Sequence, residues 1–188
     1  STISVIEEVG DLWRREPGAV LRSGGLSTRA LDTLAAHLGA DRFAVSCALD
    51  LAHSAGLLAV GVTDSDVEWM PTESFDDWRR TPPGRRWALL AQTWRDRQGV
   101  TSANPLVTEE HPFTATWRHH LLTVANEASG ACDIDTMLEV IDYRWPRRRG
   151  SKRSSVLRAL FHEAEVLGIM NAGGLSSAGR ELADTSDS

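Results

Sequence analysis

The chain has 188 residues and a formal charge of −6, with 41% hydrophobic and 24% charged residues. That composition is globular, and the length suits one large domain or two of about 90 residues. The acidic balance excludes a protein that coats nucleic acid indiscriminately, because such affinity comes from neutralising phosphates with Lys and Arg. No apolar run approaches the roughly 20 residues needed to cross a bilayer, and the N-terminus lacks the basic-then-apolar order of a secretion signal. A cytoplasmic protein with no membrane partner is expected, with order throughout except in the polar tail Asp184–Ser188.

The first predicted helix runs from Ile3 to Arg15, where Ile3, Ile6, Val9, Leu12 and Trp13 fall at three- and four-residue steps before Pro17 and Gly18. Ala19–Leu21 suits a brief strand leading into the turn Arg22–Gly25. Ser27 is an N-cap for a helix burying Leu31, Leu34, Ala35 and Leu38 and ending at Gly39; Asp41 caps the next, with Phe43, Val45, Ala48, Leu49, Leu51 and Ala52 inward and Gly56 at its end. Residues 57–62 and 67–71, either side of the polar turn Thr63–Asp66, fit two short strands. Helix, strand, helix, turn, helix and hairpin is the order of a winged helix, a helix-turn-helix core with a β-ribbon beside it.

Thr72 or Ser74 then opens a helix with Phe75 and Trp78, Pro82-Pro83-Gly84 breaks it, and a second stretch runs from Arg85 to Arg97. Beyond the linker candidate, most clearly Gln98–Pro105, the order repeats. Thr114–Ala128 is a helix stopped by Ser129-Gly130. Asp133 caps a helix with Ile134, Met137, Leu138 and Ile141, and after the loop at Trp145-Pro146 a third helix begins at Ser151 or Ser154 and ends at Gly168. The tight turn Asn171–Gly174 and a helix from Ser176 follow. The fold class expected is mainly α with small β-hairpins: two winged-helix (helix-turn-helix) units joined by a helical linker, with 1–97 the first unit and its trailing Trp-rich helices, 98–111 the linker and 112–188 the second unit.

Two helix ends echo one another. His53-Ser54-Ala55-Gly56-Leu57-Leu58 and Glu165-Val166-Leu167-Gly168-Ile169-Met170 both pass through glycine into an apolar strand, and self-similarity at about 110 residues points to duplication.

The stretches Val20–Ser27, Ala55–Leu58, Trp69–Thr72 with Phe75–Trp78, and Pro82-Pro83 with Arg86-Trp87 resemble the actinobacterial helicase-associated proteins related to the XPB-type helicase family. The resemblance is most specific from Val20 to Trp94. It implies that the chain is one part of a longer polypeptide acting near DNA. The sequence has no GxxxxGK[ST] loop and no acidic helicase motif, so the resemblance carries over no ATPase activity.

Candidate chemistry centres on one basic block. Arg144, Arg147, Arg148, Arg149, Lys152, Arg153 and Arg158 follow one another with no acid between them, at the start of the second recognition helix, where side chains and exposed amides together favour phosphate. The same block also reads as a solvated loop, or one paired with acidic surface elsewhere on the chain. The first recognition helix, Asp41–Ala55, offers only Arg42 against Asp41 and Asp50, a poor surface for a polyanion. Cys47 and Cys132 sit in apolar helical patterns far apart in sequence, lack CxxC or Cys/His spacing, and are expected as buried small hydrophobes. Helical spacing favours core packing over base stacking for Trp87 and Trp94. His119-His120 point about 100° apart with no carboxylate or Cys at ligand spacing, so they are expected as structural or surface histidines. Glu109-Glu110-His111 before Pro112 reads as a helix-entry turn, and no nucleophile, carboxylate pair, metal set or cofactor loop suggests an enzyme. Two functions stand against each other: DNA binding, to duplex or single strands, through the basic block, or docking on other domains of the same polypeptide or on a protein partner.

Overall fold

The computed structural model describes residues 1–62, 66–107, 111–128, 130–147 and 150–185. These are mainly helical, with small antiparallel sheets. The chain sorts into two compact units, Ser1–Trp94 with Thr101–Thr108 and Arg95–Val100 with Glu109–Ser188, so the stretch expected as a linker is divided between them. The expected turn at 63–66 and the helix-entry turn at 109–112 lie partly outside the described residues, as do Ser129 and the end of the tail.

In the first unit, α1 (Thr2–Arg15), α2 (Thr28–Leu38) and α3 (Arg42–Ser54) pack through Ile6, Val9 and Trp13, Leu31 and Leu34, and Val45, Leu49 and Leu51. Ser27 and Asp41 cap α2 and α3 through the amides of Ala30 and Ala44, which leaves fewer orphan donors at each start. β1 (Gly18–Ala19), β2 (Leu58–Val62) and β3 (Val67–Pro71) form an antiparallel sheet in the order β1-β3-β2, with Trp69 opposite both Gly18 and Val60. The first strand is shorter and earlier than Ala19–Leu21, because Leu21 already belongs to a turn that Gly24 and Gly25 close onto it by hydrogen bonds.

Two further helices, α4 (Glu73–Arg80) and α5 (Pro83–Asp96), follow the sheet. Gly10 admits the Phe75 ring, since a Cβ there would lie 2.1 Å from Cζ of that ring. Arg79 with Asp11, Arg86 with Glu7, and Arg14 with Asp76 join these helices to α1. Trp69, Trp78 and Trp94 are buried as core residues, whereas Trp87 is only half-buried.

The second unit repeats the plan with α6 (Thr114–Glu127), α7 (Ile134–Arg144), α8 (Ser151–Val166), β4 (Met170–Asn171), β5 (Gly174–Leu175) and α9 (Ser177–Asp184). A shift of 112 residues carries α1 onto α6 and Gly56 onto Gly168. Val45, Ala48, Leu49 and Ala52 of α3 then fall on Leu157, Leu160, Phe161 and Ala164 of α8, all eight buried. Both glycines take the left-handed conformation, at φ +74 and +72, which only glycine adopts without steric cost. Thr72 Oγ1 donates to the Gly56 carbonyl and Ser176 Oγ to that of Gly168, each at 2.7 Å, and the same hydroxyls accept from the first turn of the following helix. Cys132 does not join a helix: it precedes the Asp133 cap, half-buried, with its amide donating to the Gly173 carbonyl. Nor does the tail begin at Asp184, which ends α9 and accepts from Asn126 at 3.1 Å.

The shift exposes one exchange in the core. Ile6 and Leu51, buried in the first unit, become Arg118 and Glu163, both fully buried and paired at 2.9 Å. Arg118 also donates to the carbonyls of Arg97 and Gly99 at 2.7 and 2.6 Å, which secures residues 95–100 to this unit. Removing one partner strands a charge in low dielectric, whereas exchanging both for apolar residues restores a matched core. Arg118→Ile and Glu163→Leu should therefore each cost about 3–5 kcal/mol, and the double variant, carrying the residues of the first unit, less than either. Urea unfolding of the four proteins measures this, and additive losses would contradict it.

Candidate nucleic-acid interface

The basic block lies where the second unit departs from the first. Three residues, 39–41, connect α2 to α3, but six, 145–150, connect α7 to α8, and α8 has 16 residues against 13 in α3. Arg147, Lys152 and Arg153 occupy this added length, as do Arg148 and Arg149 in sequence, although those two lie outside the described residues. Gly150 begins α8 without a side-chain cap, leaving the first amides of the helix to solvent or a ligand.

The seven basic residues do not form one surface. Arg153 is turned inward, 2% exposed; it pairs with Asp142 and donates to the carbonyls of Trp145 and Arg147 at 2.7 and 2.8 Å. Its guanidinium shapes the loop from within and is removed from the candidate contacts. The signal was present in the spacing, because Arg153, Leu157, Leu160 and Ala164 form the inward stripe of α8. Arg144 pairs with Glu127, and that hydrogen bond raises the guanidinium pKa and lowers that of the carboxylate. Arg158 pairs with Asp135, but both side chains are largely exposed, and such pairs are held by only about 0–1 kcal/mol. Arg147 and Lys152 are exposed and have no carboxylate partner among the described residues.

Periodicity also defines a face that reading for charge alone overlooked. Lys152, Ser155, Arg158 and His162 are exposed along α8, with no acid among them until Glu165, which pairs with His162. The corresponding face of α3 is closed: Ser46 and Asp50, the counterparts of Arg158 and His162, are 2% and 6% exposed. Leu106 lies against it, its amide donating to Asp50 Oδ1 at 2.7 Å, while the neighbouring Pro105 carbonyl accepts from Leu26. Leu106 holds this contact at φ +69, a conformation costing a non-glycine residue about 1–3 kcal/mol.

Behind the loop, His120 of α6 stacks flat on Trp145, with ring centroids 3.8 Å apart and planes 7° apart, and the Arg144 guanidinium also lies over that indole. Burial, then the positive charges of His119, Arg153 and Arg144, lower the His120 pKa to about 4. Among the described residues no three His, Cys, Asp or Glu side chains are grouped to hold a metal ion, and no helix is long and apolar enough to cross a membrane. Compared with family models, curated proteins and solved structures, the chain matches none.

The histidine has a pH consequence. With its folded pKa below the ordinary value of 6.5, the unfolded chain takes up the proton first, so stability is intact above pH 6.5 and is lost as pH falls towards about 4. His120→Phe keeps a ring against Trp145 and removes the titrating site. Thermal melts across this window should show a shallower decline for the variant, and parallel curves would assign the acid sensitivity elsewhere.

Proposed function

We propose that each unit is a winged helix and that the second contacts DNA through residues 147–152 and the outward face of α8. The observation that carries this reading is the contrast between α8 and α3 at matched positions: Arg158 and His162 are exposed where Ser46 and Asp50 are buried, Asp50 beneath Leu106. Arg147, Arg148, Arg149 and Lys152 neutralise phosphates, while Ser155, Arg158 and His162 are placed for the groove, as on a recognition helix. The exposed partnership of Arg158 with Asp135 is weak enough to be exchanged for phosphate. The resemblance to helicase-associated proteins fits a role of this kind within a longer polypeptide, and the reading assigns the chain no catalysis.

A second reading, docking on a protein partner or on other domains of its own polypeptide, is favoured for the first unit. Its α3 face is closed, and Val60, Val62 and Val67 stand exposed on its hairpin. Apolar side chains gathered on one ribbon suit a protein surface better than a phosphate backbone.

Labelled duplex and single-stranded DNA titrated at several salt concentrations test the first reading. Arg147→Ala with Lys152→Ala should weaken binding and reduce the slope of log affinity against log salt by about 2, since each phosphate contact contributes roughly 0.9. Arg153→Ala should instead lower the melting temperature of the second unit, because it leaves Asp142 and two carbonyls without their donor. Negligible binding by the unmodified chain at low salt eliminates the DNA reading.

A further inference from the structure

A groove of about 740 Å³ opens in the first unit between the end of α1, β1 and α2. That size lies within the roughly 300–1,000 Å³ of small-molecule sites. Its floor is apolar, formed by Leu12, Trp13, Leu26 and Leu34. Gly18 brings the β1 backbone flat against the indole of Trp13, where a Cβ would stand 2.8 Å from Cε2, so any side chain at this position displaces the floor.

The rim has the opposite character. Arg29, Thr33 and His37 recur every four residues along one edge of α2, and Arg15 faces the groove from the last turn of α1. Arg14, Arg42, Arg79, Arg80 and Arg86 in this unit each have a carboxylate partner. Arg15, Arg22, Arg29 and Arg85 have none among the described residues, and of these Arg15 and Arg29 line the groove; the Nε of Arg15 reaches only the carbonyl of Asp11, at 3.1 Å. In a chain of net charge −6, two guanidinia without carboxylate partners thus border the same apolar floor. Glu16 is the one acid in the lining, and it limits the positive field to what a single anionic head requires.

We propose that this groove binds a small amphipathic anion, with an apolar body over Trp13 and Leu34 and one carboxylate held by Arg29 and Arg15. The site is independent of α8 and of the DNA reading. A polyphosphate does not fit it, because Glu16 opposes a multiply charged head and the apolar floor would be left uncovered.

Decanoate is the probe, with decanol as its uncharged counterpart, titrated into the full chain and followed by calorimetry and tryptophan fluorescence. Decanoate should bind saturably and decanol at least about tenfold more weakly, as expected for loss of a charge-assisted contact. Arg29→Ala and Arg15→Ala should each weaken decanoate by roughly five- to tenfold. Thr33→Trp, placed at an exposed position on α2, should fill the groove and abolish binding without lowering the melting temperature. The Arg147→Ala, Lys152→Ala chain should bind decanoate as the unmodified chain does. Absence of saturable decanoate binding, equal affinity for decanol, or undiminished binding by Thr33→Trp would each overturn the proposal.

Discussion

Both units depend on how the third helix ends. A left-handed glycine turns the chain out of the helix, and the carbonyls it exposes are taken up by one hydroxyl residue that also caps the next helix, Thr72 in the first unit and Ser176 in the second. The amide of that residue closes the joint on Leu57 or Ile169. Helix, hairpin and following helix are thereby locked around a single point. A backbone carbonyl left unsatisfied there would cost about as much as a lost hydrogen bond, so the hairpin can vary in length provided its two ends return to this joint. Five-residue strands in one unit and two-residue strands in the other do so.

With the frame held in common, the units differ in what fills it. The first buries Ile6 of α1 and Leu51 of α3, while the second places a fully buried arginine and glutamate at the matched positions. Such a pair adds little net stability over a hydrophobic one, but it is directional. The guanidinium of Arg118 has donors to spare after meeting Glu163, and it uses them on the carbonyls of Arg97 and Gly99. An isoleucine has no donor with which to hold those two carbonyls. The exchange therefore gives the second unit a fixed N-terminal approach.

The same division holds at the surface. One face, on α3, is closed by Leu106 against Asp50; the other, on α8, stays open and is extended by the longer connection 145–150, which carries three of the seven basic residues of the block. Within the basic block charge is used in two ways. Arg153 is consumed inside, bracing the loop against Asp142 and two carbonyls, whereas Arg147 and Lys152 remain at the surface. A basic block in sequence is thus divided by helical phase between an inward brace and exposed charge.

The sequence by itself determined most of the helices and several of their ends. The N-caps at Ser27, Asp41, Asp133 and Ser176, the glycine stops at residues 39, 56 and 168, and the apolar stripes of the helices are local signals, because capping and periodicity act within a few residues. Only the tertiary structure decided which charges are free. The partners of Arg118, Arg144, Arg153 and Arg158 lie 45, 17, 11 and 23 residues away, and Asp50 meets Leu106 across 56. Ion pairing and occlusion depend on distance in space, which folding sets and spacing along the chain does not reveal.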